Sequence, residues 1–309
     1  MGTSITEHFY LNASADGLKL GCLAFLPKGR ERKPEGVVQL VHGMCEHKER
    51  YIPFMEFLNE NGWACVIHDH RGHGESVKSE EDLGYFYEGG HSAMVEDIKV
   101  VNDWIRNKFP GQKLVLLGHS MGSMAVRAFV KKYDCQIDSL IVCGSPSDNP
   151  AKGLGIAVCK MIAFFKGWHC RPAIMQKLSL DGYQKGLEAE GPNAWICKDK
   201  EVRDLYNKDR LCTFRFTCNG FRNLLELMKV CYAPEGWTMR RPELPIWFIS
   251  GAEDPCRTDD KQFGQAVEAM RKVGYRNVTE TTYQNMRHEI LNEIDKENVW
   301  NNILTFIKK

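Results

Sequence analysis

Apolar residues along this 309-residue chain are spaced in two ways. Short, continuously apolar runs ("GVVQLVHG", "ACVIHDH", "KLVLLGHS", "SLIVCGS", "LPIWFISG") alternate with stretches of helical spacing such as 92–109 and 121–133. Strands that are apolar on both faces need helices on both sides, so the alternation predicts an α/β fold with a mostly parallel sheet. Ahead of it, 5–11 and 18–26 flank the turn signal "SADG" and predict an antiparallel hairpin. Between about 147 and 240 the alternation stops. That segment holds helix-like runs ("GLGIAVCKMIAFF", "FRNLLELMKV"), loop signals and many aromatics, with no buried strand. The pattern then resumes with "LPIWFISG", "NVTETTY" and a closing amphipathic helix within "DKENVWNNILTFIKK". We expect one core domain, 1–146 with 241–309, interrupted by a helical insertion, 147–240.

Charge and cysteine content narrow the function classes. Lys plus Arg (41) balance Asp plus Glu (40) for a net charge of +1, so no overall field draws the protein to nucleic acid, and none is expected as a partner. The N-terminal stretch lacks a basic segment followed by an apolar one, and no eighteen apolar residues run together. A soluble, cytoplasmic protein is the expectation. Gly2 with Thr6 fits the myristoylation pattern, but a pattern that short matches often by chance. Twelve cysteines are scattered through apolar runs without paired spacing, which reads as free, packed thiols.

The candidate chemistry centres on Gly118-x-Ser120-x-Gly122, placed where a strand should hand over to a helix. A nucleophile on such a turn needs small neighbours, which Gly118 and Gly122 supply, and the Met121 N–H at the helix start then faces a developing oxyanion. The competing reading is a glycine-rich turn with a capping serine. A serine nucleophile needs a base and a carboxylate, both expected just after later strands. Asp254 in "SGAEDP" and His288 in "MRHEI" sit there, with Glu253 as the competing acid. For the second oxyanion donor we expect the Met44 N–H, with Gly43 allowing the chain to turn, and we read Cys45 as a spectator. His68, Asp69, His70 and His73 in "HDHRGHGES" suggest a metal run, but the third ligand on the shared face is missing. No metal and no cofactor are expected; Arg71 and Asp69 instead tie neighbouring loops.

Taken together, "HGMCEHKERY", "DHRGHGES", "GHSMGS", "SGAEDP" and "HEILNE" resemble the α/β-hydrolase superfamily. Within it the chain is similar to the monoacylglycerol lipase and lysophospholipase-like group, classed with serine aminopeptidases. The resemblance implies an eight-stranded, mostly parallel sheet with helices on both faces and a helical cap. It also implies a Ser120–Asp254–His288 triad with oxyanion donors at Met44 and Met121, cleaving carboxylic esters through an acyl-enzyme. Met44-Cys45 and Ser123 depart from the group's usual smaller residues and are expected to narrow the alcohol side of the pocket. The insertion would lie over the nucleophile, its "GLGIAVCKMIAFFKGW" helix either buried, lining an acyl channel or touching a lipid surface. The partner would then be a small acyl ester or lipid. An aminopeptidase would need an acid for a free amine, with Asp148, Glu188, Glu190 and Asp199 available. An acyltransferase and a catalytically inactive ligand-binding protein are built on the same fold and stay open beside it.

Overall fold

The computed structural model describes residues 5–26, 33–179 and 181–309. Gly2 of the acylation pattern lies outside them. The chain opens with the hairpin β1 (Ile5–Asn12) and β2 (Lys19–Leu26), paired antiparallel from Ile5 opposite Leu26 to Asn12 opposite Lys19. β3 (Gly36–Val41), α1 (Ile52–Glu60), β4 (Ala64–His68), α2 (Gly90–Lys108), β5 (Lys113–His119), α3 (Met121–Tyr133) and β6 (Ser139–Cys143) follow. Helices α4 (Lys152–Lys166), α5 (Ala173–Ser179), α6 (Lys200–Lys208) and α7 (Cys218–Tyr232) come next. The chain closes with β7 (Ile246–Gly251), α8 (Asp260–Lys272), β8 (Val278–Tyr283) and α9 (Lys296–Ile307).

The eight strands form one sheet in the order β1-β2-β4-β3-β5-β6-β7-β8. β2 meets β4 antiparallel, and every pair from β4 to β8 is parallel. Parallel strands buried on both faces divide the core in two. α2, α3 and α8 pack Ile98, Val126, Phe129 and Val267 on one face, while α1 and α9 pack Phe54, Leu58, Trp300 and Ile303 on the other. The carboxyl ends of β3, β5, β7 and β8 thus share one rim, where an α/β sheet presents its loops to ligands.

α4 differs from a buried helix. Only Ile156, Cys159 and Ala163 are buried, at three- and four-residue spacing, and that face packs on α7. Met161 (58%), Phe164 (83%) and Phe165 (77%) stand in solvent. No helix among the described residues is long and apolar enough to cross a membrane.

Candidate active site

Ser120 sits at the handover from β5 to α3 with φ 54° and ψ −118°, a conformation that a side-chain-bearing residue holds only when its surroundings impose it. Its N–H donates to the Cys143 carbonyl of β6 at 3.0 Å. The flanking positions have no room for a methyl group: a Cβ on Gly118 would collide with the Gly122 carbonyl, and one on Gly122 with the carbonyl oxygens of Val41 and His42. A Cβ on Gly43 would come within 2.9 Å of the Ser120 Cβ, so the loop after β3 presses directly against the serine.

His288 lies in the loop after β8 and Asp254 in the turn after β7. The His288 Nε2 is 2.8 Å from Ser120 Oγ, and its Nδ1 is 2.9 Å from Asp254 Oδ1. Asp254 is buried and also accepts from the Cys256 N–H (2.8 Å) and the Ser250 hydroxyl (3.1 Å). Burial pushes its carboxyl up, but the charge and hydrogen bond of His288 and the Cys256 N–H outweigh burial and hold it below the ordinary carboxylate value. Glu253 points elsewhere: it is 44% exposed and pairs with Lys198 at 2.6 Å. Met121 opens α3, so its N–H has no helical carbonyl to bond. Met44, Met121 and Ser120 line one cavity.

A second imidazole–carboxylate pair lies beneath the first. His119, the residue before Ser120, places Nδ1 3.0 Å from Glu46 Oε1, and both side chains are buried. Glu46 also accepts from the Gly43 N–H, from Tyr51 Oη at 3.1 Å and from Arg50 at 3.0 Å. Arg50 in turn forks onto Glu289 with two 2.7 Å bonds. The oxyanion-side loop, the serine turn and the histidine loop are therefore tied by one buried charge network. Burial raises Glu46, yet the hydrogen bond and charge of His119 and the charge of Arg50 bring it down to about 2. Burial lowers His119, and Glu46 overcomes that to raise it above its ordinary value. Both directions describe one ion pair.

The histidines of "HDHRGHGES" gather with His42 in a buried cluster, ring centroids 4.6 to 6.3 Å apart. Desolvation lowers His42 and His70 well below the usual value and His68 and His73 to about 4, so this is a cluster of neutral rings. Its work is support. His73 Nε2 accepts the Cys45 N–H at 3.3 Å and His42 Nε2 accepts the His70 N–H at 2.9 Å, while Asp69 holds Lys48 and Arg71 holds Asp97 and Asp16. Burial raises the Cys45 thiol, which donates to the Phe214 carbonyl at 3.3 Å.

The cavity over Ser120 measures about 380 Å³, within the usual range for small-ligand sites. Met121, Met124, Leu224, Leu225 and Met228 are among its apolar lining residues, and Gln176, Ser179, Tyr183, Gln184 and Asn193 among its polar ones. Trp195 lies 5.2 Å from the His288 ring and 5.1 Å from Tyr183. Ser123 does not reach the cavity; it is fully buried and donates to the Ser120 carbonyl at 2.6 Å. Asp148 pairs with Lys152, Glu190 with Arg287, Asp199 caps α6 and Glu188 sits in an exposed turn; none of them lines the cavity.

Such a sheet, with a strained serine turn at the end of its central β5, defines the α/β-hydrolase class of fold. The family model described as serine aminopeptidase, S33 matches residues 32–295, and the chain belongs to that family. A monoacylglycerol lipase of Mycolicibacterium smegmatis is 32% identical over 160 residues, 51% of this chain and 53% of that protein, so the match spans about half of the relative's length. Phospholipase YtpA of Bacillus subtilis is 23% identical over 279 residues, covering 87% of this chain and 93% of that protein. A carboxyl esterase from Bacillus coagulans, at 24% identity, superposes with a TM-score of 0.87 over 99% of this chain and 98% of its own, a likeness of fold.

Proposed function

We propose that the chain is a serine hydrolase cleaving carboxylic esters of monoacylglycerol or lysophospholipid type, with Ser120, His288 and Asp254 as its triad. The observation that carries this reading is the unbroken chain of 2.8 and 2.9 Å contacts from Ser120 through His288 to Asp254 at the floor of a half-apolar cavity. Ser120 Oγ attacks the ester carbonyl and its proton passes to His288 Nε2. Asp254 fixes the ring and stabilises its charged form, while the N–H groups of Met44 and Met121 receive the oxyanion. Collapse expels the alcohol, which takes the proton back from His288. Water then repeats the cycle on the acyl-enzyme and releases the acid.

Residues 147–240 act in this reading as a cap, supported by α5, α7 and the stretch between them supplying much of the cavity wall over Ser120. The Met and Leu lining suits an acyl chain: a dozen buried methylenes would gain about 8 to 10 kcal/mol at roughly 0.8 each, before binding costs. The two relatives' names, a monoacylglycerol lipase and a phospholipase, agree with such a substrate. The exposed Met161, Phe164 and Phe165 of α4 would rest transiently on the lipid surface that supplies it.

The test is labelling by a fluorophosphonate, followed by turnover of monoacylglycerols of graded chain length. Wild type should be labelled and Ser120→Ala should not. Equal labelling of the two would remove Ser120 from its role, and turnover of aminoacyl amides in preference to esters would overturn the substrate class.

A further inference from the structure

Outside the triad and the neutral histidine cluster, one further group of metal-ligating side chains converges among the described residues. His47 follows the Met44 loop; Asp209 and Cys212 follow α6. Their ligand atoms, an imidazole nitrogen, a carboxylate oxygen and a thiol sulfur, all lie within 4.8 Å of one another. His47 and Cys212 are buried and Asp209 is one-third exposed, so the group has a dry side and an open side. His47 Nε2 already stands 2.8 Å from Asp209 Oδ2, and its other nitrogen, Nδ1, is held by Glu49 Oε2 at 2.7 Å. A carboxylate on the far nitrogen is what orients a metal-binding histidine and fixes its tautomer. Burial raises the Cys212 thiol and the charge of Arg50 works against that, while Arg50 itself is engaged by Glu46 and Glu289.

We propose that His47, Asp209 and Cys212 bind a divalent cation of the zinc type, leaving a fourth, water-filled position on the open side. One nitrogen, one carboxylate oxygen and one sulfur form a donor set that zinc accepts in tetrahedral geometry. Zinc bond lengths put neighbouring ligand atoms roughly 3.3 to 3.6 Å apart, so the three groups need shift only about 1 Å. The charges balance. A neutral imidazole, a carboxylate and a thiolate offset the two positive charges of the cation, and any protons held by His47 Nε2 and the Cys212 thiol leave to water on binding. The cation would staple the 209–212 segment to the loop that carries Met44. Cys212 also lines the cavity over Ser120, so bound cation should slow ester turnover, a consequence that rests on the proposed hydrolase reading.

The experiment titrates the full chain, reduced and metal-free, with Co²⁺ and then displaces it with Zn²⁺. One equivalent of cobalt should produce a thiolate-to-cobalt charge-transfer band, and zinc should abolish the band and raise the melting temperature. Cys212→Ser should lose the band, and His47→Gln should weaken cobalt binding at least tenfold. Asp254, Cys256 and His288 also converge, so the titration is repeated on Cys256→Ser, which should keep the band. Should Cys212→Ser not fold, Asp209→Asn takes its place, with the same weakening expected as for His47→Gln. Absence of a band in wild type, or a band that survives Cys212→Ser or vanishes with Cys256→Ser, overturns the site. Binding is read by spectrum and turnover by assay, so loss of the hydrolase reading would leave the spectral result standing.

Discussion

Replacing Glu46 by Gln removes the charge at the centre of the buried network while keeping its shape. The side chain is 3% exposed and accepts from Gly43, Tyr51, Arg50 and His119. Two routes to the magnitude agree. A fall from the ordinary 4.5 to about 2 corresponds to about 3 kcal/mol at 1.36 per pH unit. Removing one partner of a buried ion pair costs about 3 to 5 kcal/mol, because His119 is left with a charge and no counterion while Arg50 keeps only Glu289. The amide nitrogen of Gln also turns a donor toward groups that are themselves donors. The pH dependence has a definite sign. Glu46 is lower in the folded chain than in the unfolded one, so its stabilisation is complete above about pH 4.5 and is lost as pH falls toward 2. Guanidinium unfolding followed by tryptophan fluorescence, at pH 7 and then stepwise down to pH 3, measures both. Glu46→Gln should lose about 3 kcal/mol at pH 7 and show a flatter acid limb than wild type. A loss under about 1 kcal/mol with an unchanged acid limb would refute the ion pair.

Asp254→Asn should lower kcat about 10⁴-fold at unchanged folding, through loss of the correct His288 tautomer, whereas Glu253→Gln, whose carboxylate pairs with Lys198, should change it little. The reverse pattern in steady-state kinetics would make Glu253 the acid. Changing Phe164 and Phe165 to Ser removes two side chains that are mostly in water, so vesicle sedimentation should show weaker binding while the melting temperature stays put; a marked loss of stability would mean that this face is packed.

Strands and helices of the core were legible because both-face burial leaves a continuous apolar run; "KLVLLGH" and "SLIVC" could be read directly as β5 and β6. The placement of Ser120, Asp254 and His288 was legible for a different reason: each follows a strand whose end is fixed by the sheet, so linear order predicts a shared rim. What stayed hidden was the pairing of Glu46 with His119 and of Arg50 with Glu289, 73 and 239 residues apart. Nothing local marks such partners; the cluster of charges directly after a strand-ending glycine was the one hint. The exposure of α4 was likewise illegible, since an all-round apolar helix looks the same whether the rest of the chain covers it or leaves one side bare. Ser123 shows the limit at a single residue: its position in the motif suggested the pocket, and its hydroxyl turned back to the Ser120 carbonyl instead.

The twelve thiols carry a consequence for handling the protein. All are free, and all but Cys135 and Cys170 are buried. Folding is thus what keeps ten sulfurs apart. Once the chain opens in air they can cross-link at random, so heat denaturation should become a one-way loss governed by the opening rate, and a reductant should restore recovery on cooling without altering the native protein.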